Sequence, residues 1–378
     1  MMVQVDELSC RWIETREELE ALLRELRNQP QVAMDLEADS MYRYRERICL
    51  IQFSSLVNDA IVDPLALPDL EPLRTLLEDP RVEKVLHGAD YDVRLLKQCA
   101  GIRPAGLFDT MIAAQLLGLT RVGLSDLLEE RFGIRLEKRF QKADWGRRPL
   151  SPAMILYALR DTRHLLSLGE ELRQELEAKG RLGWAEQEFQ ALAQVEPTPR
   201  VPPDALRVHG ARKLDDRGRA VLQALLDWRE EWAQKRDVPI FKVMSTAVLV
   251  ELAAQGPTSI QEMRGIPGIT GKVLRIWGEE ILKVVGEGLF ASPLAWRRNP
   301  GHRPGKPRPE AHRRFLKLKV ARDRMAEKLA LSPGILCPNG PLKALAETRP
   351  EEAEARMQET LKGWQREVLG EVFKNVLK

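Results

Sequence analysis

Two acids stand where acids are costly. In "QVAMDLEADS", residues 31–40, Val32, Met34 and Leu36 alternate with Ala33, Asp35 and Glu37, the period of two that marks a strand. Asp35 and Glu37, at i and i+2, project to one side. Carboxylates in a core strand destabilise it by several kcal/mol unless they take up protons or meet a cation, so a cation is the simplest missing partner. Asp-Leu-Glu recurs at 69–71, between Pro68 and Pro72 and ahead of Leu73, Leu76 and Leu77. That copy reads as the first turn of an amphipathic helix, where free amides and the helix dipole favour acids, and it needs no function.

Further acids follow. "VLHGADYDVRLL" (85–96) places Asp92 just after a strand-to-helix transition, with Gly88 allowing a tight turn and Val93, Leu95 and Leu96 starting a buried face. Asp90 reads as the helix cap. "YALRD" (157–161), inside a helical pattern from Pro152 to Leu176, sets Tyr157 and Asp161 one turn apart on one face. Each has an ordinary account: an arginine-paired strand acid, a cap, a surface hydrogen bond. Together they carry four negative charges, matched to two divalent cations. Two ions roughly 3.5–4 Å apart could activate water and stabilise the leaving oxygen of an in-line phosphoryl displacement. Oxygen-only ligands favour Mg²⁺ or Mn²⁺ over zinc.

The elements that must position these groups come from the rest of the chain. At 378 residues it is long enough for two or three domains. "VEPTPRVPPD" (195–204) reads as an extended linker and "SPLAWRRNPGHRPGKPRPE" (292–310) as a second break. These breaks predict segments 1–195, 205–291 and 311–378. The first mixes strand patterns at 32–37, 47–55, 60–63 and 83–88 with helices, which implies a mixed sheet with helices packed on it. The other two show only helical periodicity.

Charge is nearly balanced, 59 Lys+Arg against 56 Asp+Glu, so any nucleic-acid surface must come from local segregation. Arg297, Arg298, Arg303, Lys306, Arg308, Arg313, Arg314, Lys317 and Lys319 face a single acid, Glu310, over one short stretch. Such a run attracts phosphate. Lys138, Arg139, Lys142, Arg147 and Arg148 cluster around Trp145. Lys142, Trp145, Arg147 and Arg148 are thus candidates to grip a terminal nucleotide by phosphate contact and stacking, with Trp145 as a core anchor the alternative. "GIPGITGKV" (265–273) departs from a P-loop at Thr270 and Val273, which argues against a nucleoside triphosphatase. Lys272 could still hold a backbone phosphate there, or the segment is a plain helix–helix turn.

Four cysteines form no CxxC and five histidines show no ligand spacing, so neither zinc nor a disulfide framework emerges. His87 reads as packed or hydrogen-bonded. No apolar run approaches the roughly 18 residues of a membrane span, and the start of the sequence is unlike a signal peptide. A cytoplasmic chain with no membrane association is the expectation.

The series Asp35-x-Glu37, Asp92, Tyr157-x-x-x-Asp161 resembles the DEDD exonuclease superfamily, in the subclass with tyrosine in the third motif. "LHGADYDVRLL", "LFDTMIAAQLL" (107–117), "FQKADWGRRPLSPAMILYALRDTRHLL" (140–166) and the helical tail are similar to the bacterial ribonuclease D family. "RDVPIFKVMSTAVLVELA" and "IPGITGKVLRIWGEEIL" resemble the helicase-and-RNase-D C-terminal (HRDC) module, and 311–378 looks like a diverged second copy.

The resemblance implies an α/β exonuclease domain, a ribonuclease H-like mixed sheet with flanking helices, followed by two all-α HRDC-like domains. Asp35 would bridge two ions, Glu37 and Asp161 would complete the site of the water-activating ion, and Asp92 would hold the other. Tyr157, with an ordinary pKa near 10, would orient the attacking water rather than deprotonate it. The implied activity is 3′→5′ exoribonuclease action by a monomer on tRNA precursors and other structured RNA 3′ ends, releasing nucleoside 5′-monophosphates. A DNA 3′→5′ exonuclease is the alternative, since this chemistry does not require a 2′-hydroxyl, and a non-catalytic RNA-binding scaffold is a third reading.

Overall fold

Alternating and mostly apolar strands set the architecture of the computed structural model, which describes residues 2–5, 8–67, 69–296 and 309–377. Among these, β1 (Met2–Val5), β2 (Leu8–Ile13), β3 (Gln31–Ala38), β4 (Ile48–Ser54), β5 (Asp59–Val62), β6 (Glu83–Leu86) and β7 (Leu107–Asp109) form one sheet. Its order is β1-β2-β5-β4-β3-β6-β7. The pairs β1–β2, β3–β4 and β4–β5 are antiparallel, while β2–β5, β3–β6 and β6–β7 are parallel. The mixed sheet read from the pattern is therefore present. β4 is buried along its whole length because helices cover both faces.

Eight helices flank the sheet: α1 (Arg16–Leu26), α2 (Arg74–Leu77), α3 (Asp90–Ala100), α4 (Thr110–Leu117), α5 (Leu124–Phe132), α6 (Pro152–Arg163), α7 (Leu165–Ala178) and α8 (Leu182–Ala193). Val32, Met34 and Leu36 of β3 pack with α1, α2 and α3. The opposite face meets α6 at Leu50 and Ile61, and joins the core of α4, α5, α7 and α8 at Ala33, Val85 and Phe108. α6 starts after Ser151, whose side chain accepts from Met154 N, with Pro152 in the first turn. The single helical pattern expected from Pro152 to Leu176 is broken at His164 (φ −105°, ψ 0°). No proline or glycine marks that break in the sequence. The second Asp-Leu-Glu becomes a short helical turn over Glu71–Leu73, with Asp69 paired to Arg16.

The chain forms two compact units. One takes in the chain to Ala38, Ile48–Thr198 and the C-terminal helices; the other takes in Asp39–Arg47 and the stretch from Pro199. The second unit holds α9 (Asp216–Arg236), α10 (Ile240–Val243), α11 (Thr246–Gln255), α12 (Ile260–Met263) and α13 (Gly271–Phe290) around Leu222, Leu225, Leu249 and Ile281.

The C-terminal helices are α14 (Pro309–Lys328), α15 (Pro333–Leu336), α16 (Asn339–Glu347), α17 (Ala353–Thr360) and α18 (Gly363–Leu377). They share the core of α4, α5, α7 and α8. Trp364 stacks on Trp184 at 5.0 Å, and Arg181 donates to Leu329 O at 2.6 Å. The approach is close enough that a Cβ on Gly118, at φ +86°, would meet Ala330 O at 2.0 Å.

The helices of α14–α17 begin at the same offset from those of α9–α12 in all four pairs: 216 and 309, 240 and 333, 246 and 339, 260 and 353. Arg229 Nη1 donates to Met244 O, 15 residues on. Arg322 Nη1 donates to Cys337 O, also 15 residues on.

Candidate active site

Alternation along β3 sends Asp35 and Glu37 to the face that α6 covers. α6 is fixed there by a buried contact of 2.7 Å between Ser54 Oγ and Thr162 Oγ1. Its helical spacing then brings Asp161 down onto the strand acids, so that Asp35, Glu37 and Asp161 each offer an oxygen within 4.8 Å of the others. Asp92 stands in the first turn of α3, 7 % exposed. It lies outside that triplet, yet its charge acts on Glu37 and is itself acted on by Asp35.

The turn that presents Asp92 is tied down from another strand end. Gly88 adopts φ +69°, where a Cβ would meet Met111 Cε at 2.9 Å. Asp109 accepts from Gly88 N at 3.0 Å and Ala89 N at 2.7 Å, while also capping α4 through Met111 N and Ile112 N. Asp90 is not the cap: Ala89 takes that position without a side-chain bond, and Asp90 pairs with Arg94 at 2.7 Å.

Two other buried acids of this unit have cations, Asp63 with Arg148 and Asp59 with Arg163, and Asp109 has the four backbone amides just described. The four site acids differ: among the described residues, no positive charge acts on any of them. Burial pushes the Asp35 carboxyl up to about 7, and burial followed by the charge of Asp35 pushes Asp161 up to about 8. Glu37 rises to about 10 through burial and then the repulsion of Asp35, Asp161 and Asp92. Asp92 is raised by burial, then by Asp35 and Asp109. Four carboxylates crowded without a counter-charge make a donor set suited to a hard divalent cation.

Tyr157 sits one turn before Asp161, to which its hydroxyl is hydrogen-bonded. Burial first and the nearby acids second push its phenol above its ordinary value, so it is neutral at physiological pH. Phe140 meets its ring edge-on and Trp145 lies at 5.9 Å. A cleft of about 280 Å³ opens over the acids, lined among others by Asp35, His87, Lys138, Gln141, Tyr157 and Asp161. A larger one, about 400 Å³, between β7 and α8 contains none of them.

The nucleotide-gripping candidates separate. Trp145 is 1 % exposed, so its indole is a core anchor and offers no stacking surface. Arg148 is spent on the scaffold: its Nε and Nη2 each reach Asp63 at 2.6 Å, and it also donates to the carbonyls of Cys49, Trp145 and Arg147. Both are corrected from substrate contacts to supports. Lys142 and Arg147 are exposed. Lys272 is exposed in the first turn of α13, whose cap is Thr270. Of the basic run, Arg297, Arg298, Arg303, Lys306 and Arg308 lie outside the described residues.

Of the cleft's polar side chains, Lys138 belongs to the basic cluster read from the sequence, whereas Gln141 was not singled out there. His87 reads from the sequence as packed or hydrogen-bonded, and Nδ1 does contact Thr110 Oγ1 at 2.9 Å. His87 also lines the cleft.

Comparison with known proteins decides the family. The model of the 3′-5′ exonuclease family matches residues 10–177, and that of the HRDC domain matches 218–285. A ribonuclease D of Gluconacetobacter diazotrophicus is 32% identical over 366 residues, 95% of this chain and 90% of the relative. The chain belongs to the ribonuclease D family.

The crystal structure of Escherichia coli RNase D, described as an exoribonuclease involved in structured RNA processing, superposes with a TM-score of 0.71 at 27% identity, covering 98% of this chain and 99% of that one. The catalytic core of RRP6 from Trypanosoma brucei gives 0.64 at 29% identity, over 76% of this chain and 82% of that one. As a member of the ribonuclease D family, the chain is a 3′→5′ exoribonuclease dependent on divalent metal. It carries an exonuclease domain with a mixed sheet and one HRDC domain. No described helix is long and apolar enough to cross a membrane.

Proposed function

We propose that the enzyme holds two divalent ions, Mg²⁺ or Mn²⁺, with Asp35, Glu37, Asp92 and Asp161, and removes nucleoside 5′-monophosphates one at a time from RNA 3′ ends. The observation that carries this is the convergence of three carboxylates within 4.8 Å, on which no positive charge acts among the described residues. Bound divalent ions supply positive charge to the scissile phosphate and lower the pKa of water. Asp35 and Glu37, fixed on a central strand, and Asp161, fixed on a pinned helix, need little rearrangement to receive them. Tyr157, neutral and held against Asp161, orients the attacking water by hydrogen bond and is no base at pH 7.

Structured RNA such as tRNA precursors is the substrate class we assign, supported by the involvement of the Escherichia coli relative in structured RNA processing. The organisation we propose is an exonuclease domain over 1–195, a first HRDC domain over 205–291 and a diverged second copy over 311–378. The equal helix offsets and the matched Arg229 and Arg322 bonds support the repeat. Lys142, Arg147 and Lys272, all exposed, are the basic groups offered to phosphate. We place the enzyme in the cytoplasm as a monomer.

The test is digestion of 3′-labelled RNA and DNA of one sequence, with Mg²⁺, Mn²⁺ or chelator, by the full chain and its Asp35→Asn variant. Stepwise release of monophosphates from RNA, lost with chelator or in the variant, is expected. Equal rates on DNA would overturn the RNA assignment, and activity surviving chelation would overturn the metal site.

A further inference from the structure

Gln52 lies near the middle of the sheet, on β4, with no exposed surface, and among the described residues neither its amide nitrogen nor its carbonyl oxygen has a hydrogen-bond partner. A buried polar group left unpaired is destabilising, and natural cores keep few of them. The four residues before it on β4, Ile48, Cys49, Leu50 and Ile51, and Phe53 after it are hydrophobic, so an aliphatic side chain here would fill the same space without that cost.

Its neighbours narrow the reason. The strand register puts Gln52 directly opposite Asp35 on one side and Ile61 on the other. Opposed residues of an antiparallel pair leave the sheet on the same face, with Cβ atoms about 4.5–5.5 Å apart. Ile61 offers no polar atom. Ser54, two residues along on the same face, already shares its hydroxyl with Thr162. Asp35 is thus the polar side chain that the register sets beside the amide.

We propose that Gln52 is a positioning residue for Asp35: its amide N–H donates to the ionised Asp35 carboxylate when that carboxylate holds a divalent cation, and so fixes the orientation of the ligand oxygens. This rests on the metal-binding reading of the four acids. Partners that orient a ligand are typically worth 10–100-fold in metal affinity, whereas the amide contributes nothing to the metal-free fold, where it is unpaired.

The experiment is calorimetric titration of Mn²⁺ into the full chain, wild type and with Gln52→Met or Gln52→Leu, alongside thermal unfolding of each without metal. The expected result is Mn²⁺ affinity about 10–100-fold weaker in both variants, with a metal-free melting temperature equal to or above that of wild type. Affinity within about twofold of wild type would overturn the proposal, given the size such partners normally have. A metal-free melting temperature several degrees lower would do the same, by showing that the amide supports the empty fold. A wild-type chain that takes up no Mn²⁺ would overturn this inference and the metal reading together, which separates the two failures.

Discussion

Ser54 and Thr162 share a buried hydroxyl contact of 2.7 Å that joins β4 to the residue following Asp161. It sets the rotation of α6 about its axis, and with it the aim of Asp161 at the strand acids. Thr162→Val keeps the shape and leaves the Ser54 hydroxyl unpaired, at about 1–2 kcal/mol by urea unfolding. Turnover should fall by about tenfold, because small misplacements of a reacting group are costly, while KM stays near wild type. Unchanged kcat would show that α6 is aimed by its apolar packing alone.

Asp35→Asn and Asp161→Asn should each lower the rate on labelled RNA by roughly three orders of magnitude, even at saturating Mg²⁺. Neither should lower the metal-free melting temperature, because each removes a charge that its neighbours repel. A variant that kept near wild-type turnover would not be a ligand.

The same repulsion fixes a pH dependence. Asp35 and Asp161, with carboxyls pushed up to about 7 and about 8, bind protons more tightly folded than unfolded. Their stabilising contribution is therefore complete below the ordinary carboxylate range near 4 and is lost as pH rises through about 7 to 8. Without metal, the melting temperature should fall between pH 5 and 8 in the wild type and fall less in Asp35→Asn/Asp161→Asn. Saturating Mg²⁺ should flatten the wild-type slope. A wild-type melting temperature that rose over this range without metal would contradict the assignment.

Arg148→Met strips a bidentate partner from Asp63, whose side chain is 3 % exposed, and should cost about 3 kcal/mol or more. The folded fraction should keep its KM for RNA, since Arg148 faces the scaffold. A raised KM with unchanged stability would restore Arg148 to the substrate site.

Trp364 joins the tail to the exonuclease unit by stacking on Trp184 and donating from Nε1 to Glu188 at 2.8 Å. Trp364→Ala should cost about 3–5 kcal/mol and lower the temperature at which exonuclease activity is lost. Cutting the chain after about residue 200 should give protein that binds apolar dyes and precipitates, because it uncovers the shared core of α4, α5, α7 and α8. A soluble, fully active 1–200 fragment would show that the tail is dispensable to the fold.

How far the sequence carried each of these points depended on the range of the interaction. The strand acids were legible because an alternating apolar frame leaves Asp35 and Glu37 no local partner, and Tyr157 with Asp161 because helical spacing is local. The role of Asp109 was not, since it caps a turn 21 residues away, and the nearer Asp90 fitted the same pattern. Arg148 beside Trp145 looked like a nucleotide grip; its partner Asp63 is 85 residues distant. Gln52 was hidden in an apolar run, where only the register with β3 gives it meaning. β7, three residues long, is too short to display a period.

The core that α14–α18 share with α4, α5, α7 and α8 also bears on synthesis. Strands and acids of the exonuclease unit leave the ribosome long before Pro309 does, an interval on the order of 10 s at about 5–20 residues per second. During that time α4, α5, α7 and α8 lack the apolar cover that α14 and α18 later provide. A chain interrupted by a damaged message would carry every ligand for catalysis and yet remain a target for proteases. Synthesis of α14–α18 thus closes an apolar face that α4, α5, α7 and α8 leave open until then.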